Sequence, residues 1–124
     1  MDVTPAIPEN RQLIEGYGDG RFRITGEVYD GSVIVFPERA VTWPVTGIAE
    51  VTLDSLSAVT QGPDEVELLL LGCGARTQLI TKAFRQPLRD AGVVLEPMDT
   101  GAAARTFNVL MAEERRVAAA LIAV

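Results

Sequence analysis

Histidine is absent from this 124-residue chain. Its absence removes serine-histidine-acid triads, cysteine-histidine dyads, imidazole metal sites and histidine proton shuttles from the chemistry the chain can perform alone. There is a single cysteine, Cys73, so no intramolecular disulfide can form, which points to a reducing compartment and away from secretion. Long apolar runs are lacking too. The most apolar stretches, Val66 to Leu71 and Val117 to Val124, fall well short of the roughly 20 residues a spanning helix needs, and direct membrane insertion is not expected. Met1 to Glu9 show no basic region followed by an apolar run, so neither a signal nor a transit peptide is expected, and the natural placement is cytoplasmic. Positive charge is scarce. With 11 Lys and Arg against 17 Asp and Glu the net charge is −6, which repels phosphate backbones and excludes nucleic acid from the expected partners.

What is there reads as one domain. A chain of this length buries roughly two-thirds of its unfolded surface and folds without metal or disulfide staples. Residues 1–11 carry Pro5 and Pro8 among short polar residues and read as a flexible N-terminal arm, leaving 12–124 as a single α/β domain. Asp19-Gly20 and Asp30-Gly31 lie between β-branched and aromatic runs, the strongest short-range hairpin signal. Strands are expected near 12–17, 21–29 and 32–36, with Gly26 a candidate bulge, then a short strand from Ala40 to Trp43 stopped by Pro44. Thr52 or Asp54 can cap a helical turn around Leu53 to Ala58, and Gln61 to Asp64 form a turn.

Beyond this turn the pattern changes. Leu68 to Leu71 are apolar at successive positions, as in a strand covered on both faces, and this implies helices on both sides of the sheet. Thr81 can cap a helix from about Lys82 to Ala91 that Gly92 stops, although Pro87 inside it must kink the helix or delay its start. A strand over Val93 to Glu96 follows. Asp99 or Thr100 then caps a helix with Ala103, Phe107, Leu110 and Met111 on one stripe, and Val117 to Ile122 return as a central strand. Strand, helix, strand, helix, strand predicts a single three-layer α/β domain with a central mixed sheet and an N-terminal antiparallel hairpin region.

Several residues bear on chemistry. Gly72-Cys73-Gly74-Ala75-Arg76-Thr77, with Glu96 closing the next strand, partly mimics a dinucleotide-binding fingerprint, but Thr77 stands at the third glycine. The plainer reading is that Gly72 and Gly74 let the chain leave the sheet with positive φ. Arg76 beside Cys73 would favour its thiolate, yet with no base nearby Cys73 reads as a small residue filling a tight loop. Arg105 leans toward the helix N-terminus, where it can pair with Asp99 or Glu96, or join the backbone N–H groups near Thr100 in holding a small anion or a partner's carboxylate. Asn108, three residues on, is expected to be solvated. These eight residues, Gly72, Cys73, Gly74, Arg76, Asp99, Thr100, Arg105 and Asn108, form the candidate binding cleft. No catalytic residue, metal ligand or cofactor is assigned, because the carboxylates have no fixed separation and no Ca²⁺ loop is present. Glu113-Glu114-Arg115-Arg116 read as a charged turn compensated locally, and Tyr17 and Trp43 as aromatics to watch at a surface.

The block from Met98 to Ile122, with Ile14 to Ile24, Tyr29-Asp30-Gly31-Ser32, Trp43 and Leu71-Gly72-Cys73-Gly74, resembles a small prokaryotic family of unknown function. In eukaryotes that family includes the mitochondrial complex I assembly factor three and an adipogenesis-associated cytosolic protein. The resemblance covers nearly the whole chain after about Leu13. It implies a three-layer domain around a mixed sheet in which one strand runs antiparallel to the others. Ala104 stands where the family often has a cysteine, so no thiol role is carried over there.

Two functions follow as expectations. The first is a non-enzymatic interaction or assembly factor, which the resemblance directs toward respiratory complex I or another membrane complex and its assembly intermediates as protein partners. The alternative is a small-anion or nucleotide-binding domain, a minimal enzyme at most, using the Gly72 to Thr77 loop and the helix at Thr100. Replacing Cys73 by serine is expected to leave folding and cellular function near wild type, measured by thermal melting and complementation; a folded but inactive Cys73→Ser chain would point to thiol chemistry.

Overall fold

A computed structural model of the chain describes residues 10–124. The expected arm over 1–11 lies outside the described residues except for Asn10 and Arg11. Arg11 already pairs with Glu38, and the Gln12 N–H donates to the Pro37 carbonyl at 2.8 Å.

Strands β1 (Ile14–Gly18), β2 (Arg21–Ile24) and β3 (Glu27–Asp30) form an antiparallel sheet in chain order. Both turns place two residues at positive φ, Asp19 and Gly20 at 53° and 74°, and Thr25 and Gly26 at 48° and 81°. This is the conformation that matches the twist of two-residue hairpins. The single strand expected over 21–29 is therefore two strands, and Gly26 is a hairpin turn, not a bulge. The register irregularity lies instead in β1, between Ile14 and Gly16. Asp30-Gly31 is also not a hairpin: β3 and the next strand, β4 (Val33–Val35), belong to different sheets, and Gly31 at φ 81° turns the corner between them.

The second sheet has the order β5-β4-β8-β6-β7, where β5 is Ala40–Thr42, β6 Leu68–Gly72, β7 Val94–Met98 and β8 Val117–Leu121. Strands β6, β7 and β8 are mutually parallel, while β4 runs antiparallel to both its neighbours β5 and β8. This is the mixed sheet with one reversed strand that the resemblance implied. Pro97 sits in the edge strand β7, where a missing donor costs least.

Among the described residues three α-helices cover the sheet: α1 (Ser57–Thr60), α2 (Lys82–Asp90) and α3 (Thr100–Ala112). Side chains alternate across β6 and β8. Leu69, Leu71, Ala118 and Ala120 join Leu56, Val59, Leu88 and Trp43 on one face, whereas Leu70, Val117, Ala119 and Leu121 meet α3 and the three-stranded sheet on the other. The domain has three layers, with the hairpin sheet and α3 sharing one of them. Trp43, a surface candidate from sequence, is 3 % exposed in the first of these clusters and its indole N–H donates to the Ser55 carbonyl at 2.8 Å. Helix α2 starts at its cap, with Thr81 Oγ1 accepting from the Phe84 N–H at 3.1 Å, so Pro87 is tolerated inside the helix without delaying its start. At the turn after α3, Arg116 reaches Glu65 and Glu67 at 3.1 and 3.2 Å, so its compensation is long-range and not with the neighbouring Glu113 or Glu114.

The five residues of β8 are all fully buried, and three are alanines. Of the three, Ala119 faces α3, and its small side chain lets the helix, with Ala103 and Ala104 in the same cluster, lie close against the middle of the sheet. Ala119→Leu is therefore expected to destabilise the fold by about 1–3 kcal/mol through overpacking, read as a lower urea midpoint with unchanged slope.

Candidate functional site

Strands β6 and β8 end side by side, and the chain leaving β6 passes directly under the start of α3. Here Gly72 accepts from the Ile122 N–H at 3.0 Å, and the Cys73 N–H donates to Met98 at 2.8 Å. Thr100 completes the junction from a fully buried position. Its hydroxyl donates to the Ile122 carbonyl at 2.7 Å and accepts from the Gly74 N–H at 3.0 Å, while its own N–H donates to Gly74 at 2.9 Å. One side chain thus ties the loop after β6, the end of β8 and the first turn of α3. Asp99, not Thr100, is the helix cap, its carboxylate accepting from the Ala102 N–H at 2.8 Å.

The two glycines of this loop are needed for different reasons. Gly74 has φ of +99°, as expected of a chain leaving the sheet. Gly72 does not have positive φ; it is a site of close approach, because a Cβ there would lie 3.0 Å from Thr100 Cα and from Leu121 Cδ2. Cys73 is buried between them, with its sulfur 3.6 Å from the Leu71 carbonyl, whereas Arg76 is exposed on the loop beyond. This geometry is unlike a phosphate cradle. The Gly74 N–H is engaged by Thr100, and α2 begins only after an extended loop, capped by its own threonine.

Arg105 and Asn108 depart from expectation. Arg105 pairs with neither Asp99 nor Glu96; its Nη1 lies 3.5 Å from the Tyr17 hydroxyl. The cause is helical geometry. A side chain leaning toward the N-terminus covers the residue four positions back, which is Gly101. A Cβ on Gly101 would lie 2.3 Å from the Tyr17 hydroxyl, so the glycine opens the space that the tyrosine occupies. Asn108 is not solvated. Its Oδ1 accepts from the Ile14 N–H at 2.9 Å and its Nδ2 donates to the Ile14 carbonyl at 2.8 Å. The amide supplies the edge of β1 with the two bonds a neighbouring strand would make. Ala104 and Met111, four before and three after it, are both buried, and that spacing was a signal for an inward-facing amide.

The structure thus gathers Gly72, Cys73, Gly74, Asp99 and Thr100 into one junction, leaves Arg76 outside it, and turns Arg105 and Asn108 toward β1. Among the described residues no three His, Cys, Asp or Glu side chains are grouped to hold a metal ion. Among the described residues two groups, a phenol and a carboxyl, have shifted acidity. Burial and then the nearby Glu27 raise Tyr29, and hydrogen bonds from Thr46 lower Glu50; both stand away from the junction. A feature that sequence reasoning passed over is an apolar groove of about 200 Å³ lined by Ile48, Val51, Leu79, Ile80, Thr81 and Phe84.

Comparison with known proteins gives the following. Residues 14–122 match a family described as protein of unknown function (DUF498/DUF598). The chain is 43% identical over 109 residues to an uncharacterised protein of Rhodobacter capsulatus, covering 88% of this chain and 82% of that one. It is 34% identical over 110 residues to NADH dehydrogenase (ubiquinone) 1 alpha subcomplex assembly factor 3 of Danio rerio, covering 89% of this chain. It spans only 63% of that assembly factor, and 59% of the human one. Among solved structures, a Bordetella parapertussis protein superposes with a TM-score of 0.85 at 37% identity over 94% of this chain and 100% of its own. A Bartonella henselae structure described as an outer membrane protein has a TM-score of 0.84 at 38% identity, over 93% and 97%. Among the described residues no helix is long and apolar enough to cross a membrane.

The junction predicts its own sensitivity. Thr100→Val keeps the shape but strands the Gly74 N–H and the Ile122 carbonyl, and should cost about 2–4 kcal/mol. Thr100→Ser, which keeps the hydroxyl, should recover most of that loss in the same chemical-denaturation measurement.

Proposed function

We propose, from the premise that this chain belongs to the DUF498/DUF598 family, that it is a non-enzymatic protein-binding module serving the assembly of a membrane complex from the cytoplasmic side. The observation that carries this reading is the 34% identity to a complex I assembly factor over 89% of the chain. The alignment runs through the folded domain itself, and the proposal assigns the binding role to that shared part. The junction supports the same reading from the chemical side. The polar groups of the Gly72 to Gly74 loop and of Thr100 are taken up in holding α3 onto the sheet, and the only cysteine is buried. Respiratory complex I or its assembly intermediates are the corresponding partners, and a protein surface, not a small anion, is the ligand. Of the eight residues expected to line a cleft, Gly72, Cys73, Gly74, Asp99, Thr100 and Asn108 act, in this reading, as the framework that holds the binding surfaces in place.

Affinity purification of the tagged chain from native membranes and cytosol, with bound proteins identified, tests this. Subunits or assembly intermediates of a membrane complex should be enriched over an unrelated acidic control. Thermal melting against nucleotides, phosphate and small carboxylates should show no saturable shift; a saturable shift without any enriched protein would overturn the proposal.

A further inference from the structure

A strand at the margin of a sheet turns a row of N–H and C=O groups outward, and such a row pairs with another chain unless something blocks it. The two sheets end at β1, β3, β5 and β7, and on three of these margins the row is blocked. At β1 the Asn108 amide occupies the Ile14 N–H and carbonyl. In β7, Val94 and Met98 bond toward the β6 side, so alternation turns Leu95 and Pro97 outward. There Arg85 Nη1 already donates to the Leu95 carbonyl at 3.3 Å, and Pro97 has no N–H to offer. Strand β5 is three residues long and lies between Arg39, held by Asp64 at 2.8 Å, and Pro44.

Strand β3 has no such block. The Gly31 N–H donates to the Gly20 carbonyl at 2.8 Å, which makes 20 and 31 a hydrogen-bonded pair. Alternation then makes Phe22 with Tyr29, and Ile24 with Glu27, the bonded pairs of the hairpin. Val28 and Asp30 therefore turn their N–H and C=O groups away from β2, and among the described residues no backbone group meets them. Val28 is 60 % exposed. The Asp30 carboxylate is held by Arg21 at 2.7 Å, so its charge does not guard the edge. Glu27 and Tyr29 share the opposite face, where the tyrosine hydroxyl donates to Glu27 Oε2 at 3.3 Å.

We infer that β3 pairs with β3 of a second copy of this chain, antiparallel about a two-fold axis at Tyr29, joining the two hairpin sheets into one. The inference stands independently of the assembly role. Outward groups bond to outward groups, so the axis can fall at Val28, Tyr29 or Asp30. At Asp30 it sets two aspartates directly opposite each other, which is unfavourable. At Val28 it leaves Asp30 facing Gly26, whose N–H is taken by the Glu15 carboxylate at 2.6 Å. At Tyr29 it matches Val28 of each copy with Asp30 of the other, so every outward N–H of these residues finds a C=O. Glu27 then meets Gly31, and no like charges stand opposite. The two tyrosines become a cross-strand aromatic pair on the face that packs against the core. A two-fold pairing uses up the edge, so assembly stops at two chains. A single strand pair is a small interface and each copy carries a net charge of −6, so the dimer is weak and depends on concentration.

Sedimentation equilibrium of the full chain from roughly 10 µM to 1 mM, the range in which small interfaces associate, should show the mass rising from one chain to two and no further. Val28→Glu sets a carboxylate opposite Asp30 at both ends of the pairing, and should raise the dissociation constant about tenfold with an unchanged thermal melt. Val28→Thr should leave it as it is. Register is read by thiols in a Cys73→Ser background. With oxidised glutathione, Tyr29→Cys should form a disulfide-linked dimer, because opposite residues of a non-hydrogen-bonded pair come within about 4.5 Å at Cα. Glu27→Cys, whose two copies this register holds apart, should not. A mass of one chain at every concentration overturns the inference, as does growth beyond two chains. An association that Val28→Glu leaves unchanged, linkage through position 27 in preference to 29, or linkage through neither overturns it too. If Val28→Glu melts early the thiol pair decides, and if Tyr29→Cys melts early Val28→Glu decides.

Discussion

The hydroxyl of Thr100 is where three otherwise separate parts of the chain meet. By donating to the end of β8 and accepting from the loop after β6, it closes the carboxyl end of the parallel pair at the centre of the sheet. A buried hydroxyl with both capacities used is stabilising, whereas an apolar replacement leaves two buried backbone groups without partners. The rest of the junction is shaped around this contact. Gly72 has no side chain because Thr100 must come within 3.0 Å of where one would be, and Asp99 caps the helix so that Thr100 can turn inward. Cys73 is small and buried as part of the same closure.

The absence of histidine takes on meaning in this setting. The glycine-bearing loop at the carboxyl end of β6 occupies the position where open α/β sheets hold ligands, yet its donors are spent on the fold. What remains outward at this end of the sheet is the loop from Ala75 to Leu79, which is exposed throughout. It carries no side chain suited to proton transfer, and it holds a fully exposed leucine, Leu79. In the proposed reading this end of the sheet serves recognition of a protein surface, as the names of relatives called assembly factors suggest.

Much of the architecture was legible because it is written in local patterns. The apolar run at Leu68 to Leu71 and the small residues of Val117 to Leu121 identify central strands, and Thr81 and Asp99 announce helices that begin where they stand. The departures arise where one pattern serves two geometries. Asp30-Gly31 has the composition of a hairpin turn, but the same positive φ also turns a corner between sheets, and only the pairing of β4 with β8 tells them apart. Thr25 at positive φ is costly for a β-branched residue and gave no warning of a turn. The site was less legible still. Arg105 and Asn108 are set by β1, more than 80 residues earlier, and nothing within the helix discloses that its neighbour is an edge strand needing an amide, or a tyrosine needing the space over Gly101.

The order of the strands along the chain has a consequence for synthesis. Strand β8 lies between β4 and β6 in space but follows both in sequence, and the amide that protects the edge of β1 lies 94 residues after it. A ribosome making this chain therefore releases two halves of a sheet that cannot join, and a hairpin with an unguarded edge, until the residues near Val117 emerge. Completion of the five-stranded sheet therefore waits for β8. Until then the nascent chain exposes an apolar strand at Leu68 to Leu71, the kind of surface that chaperones hold during translation.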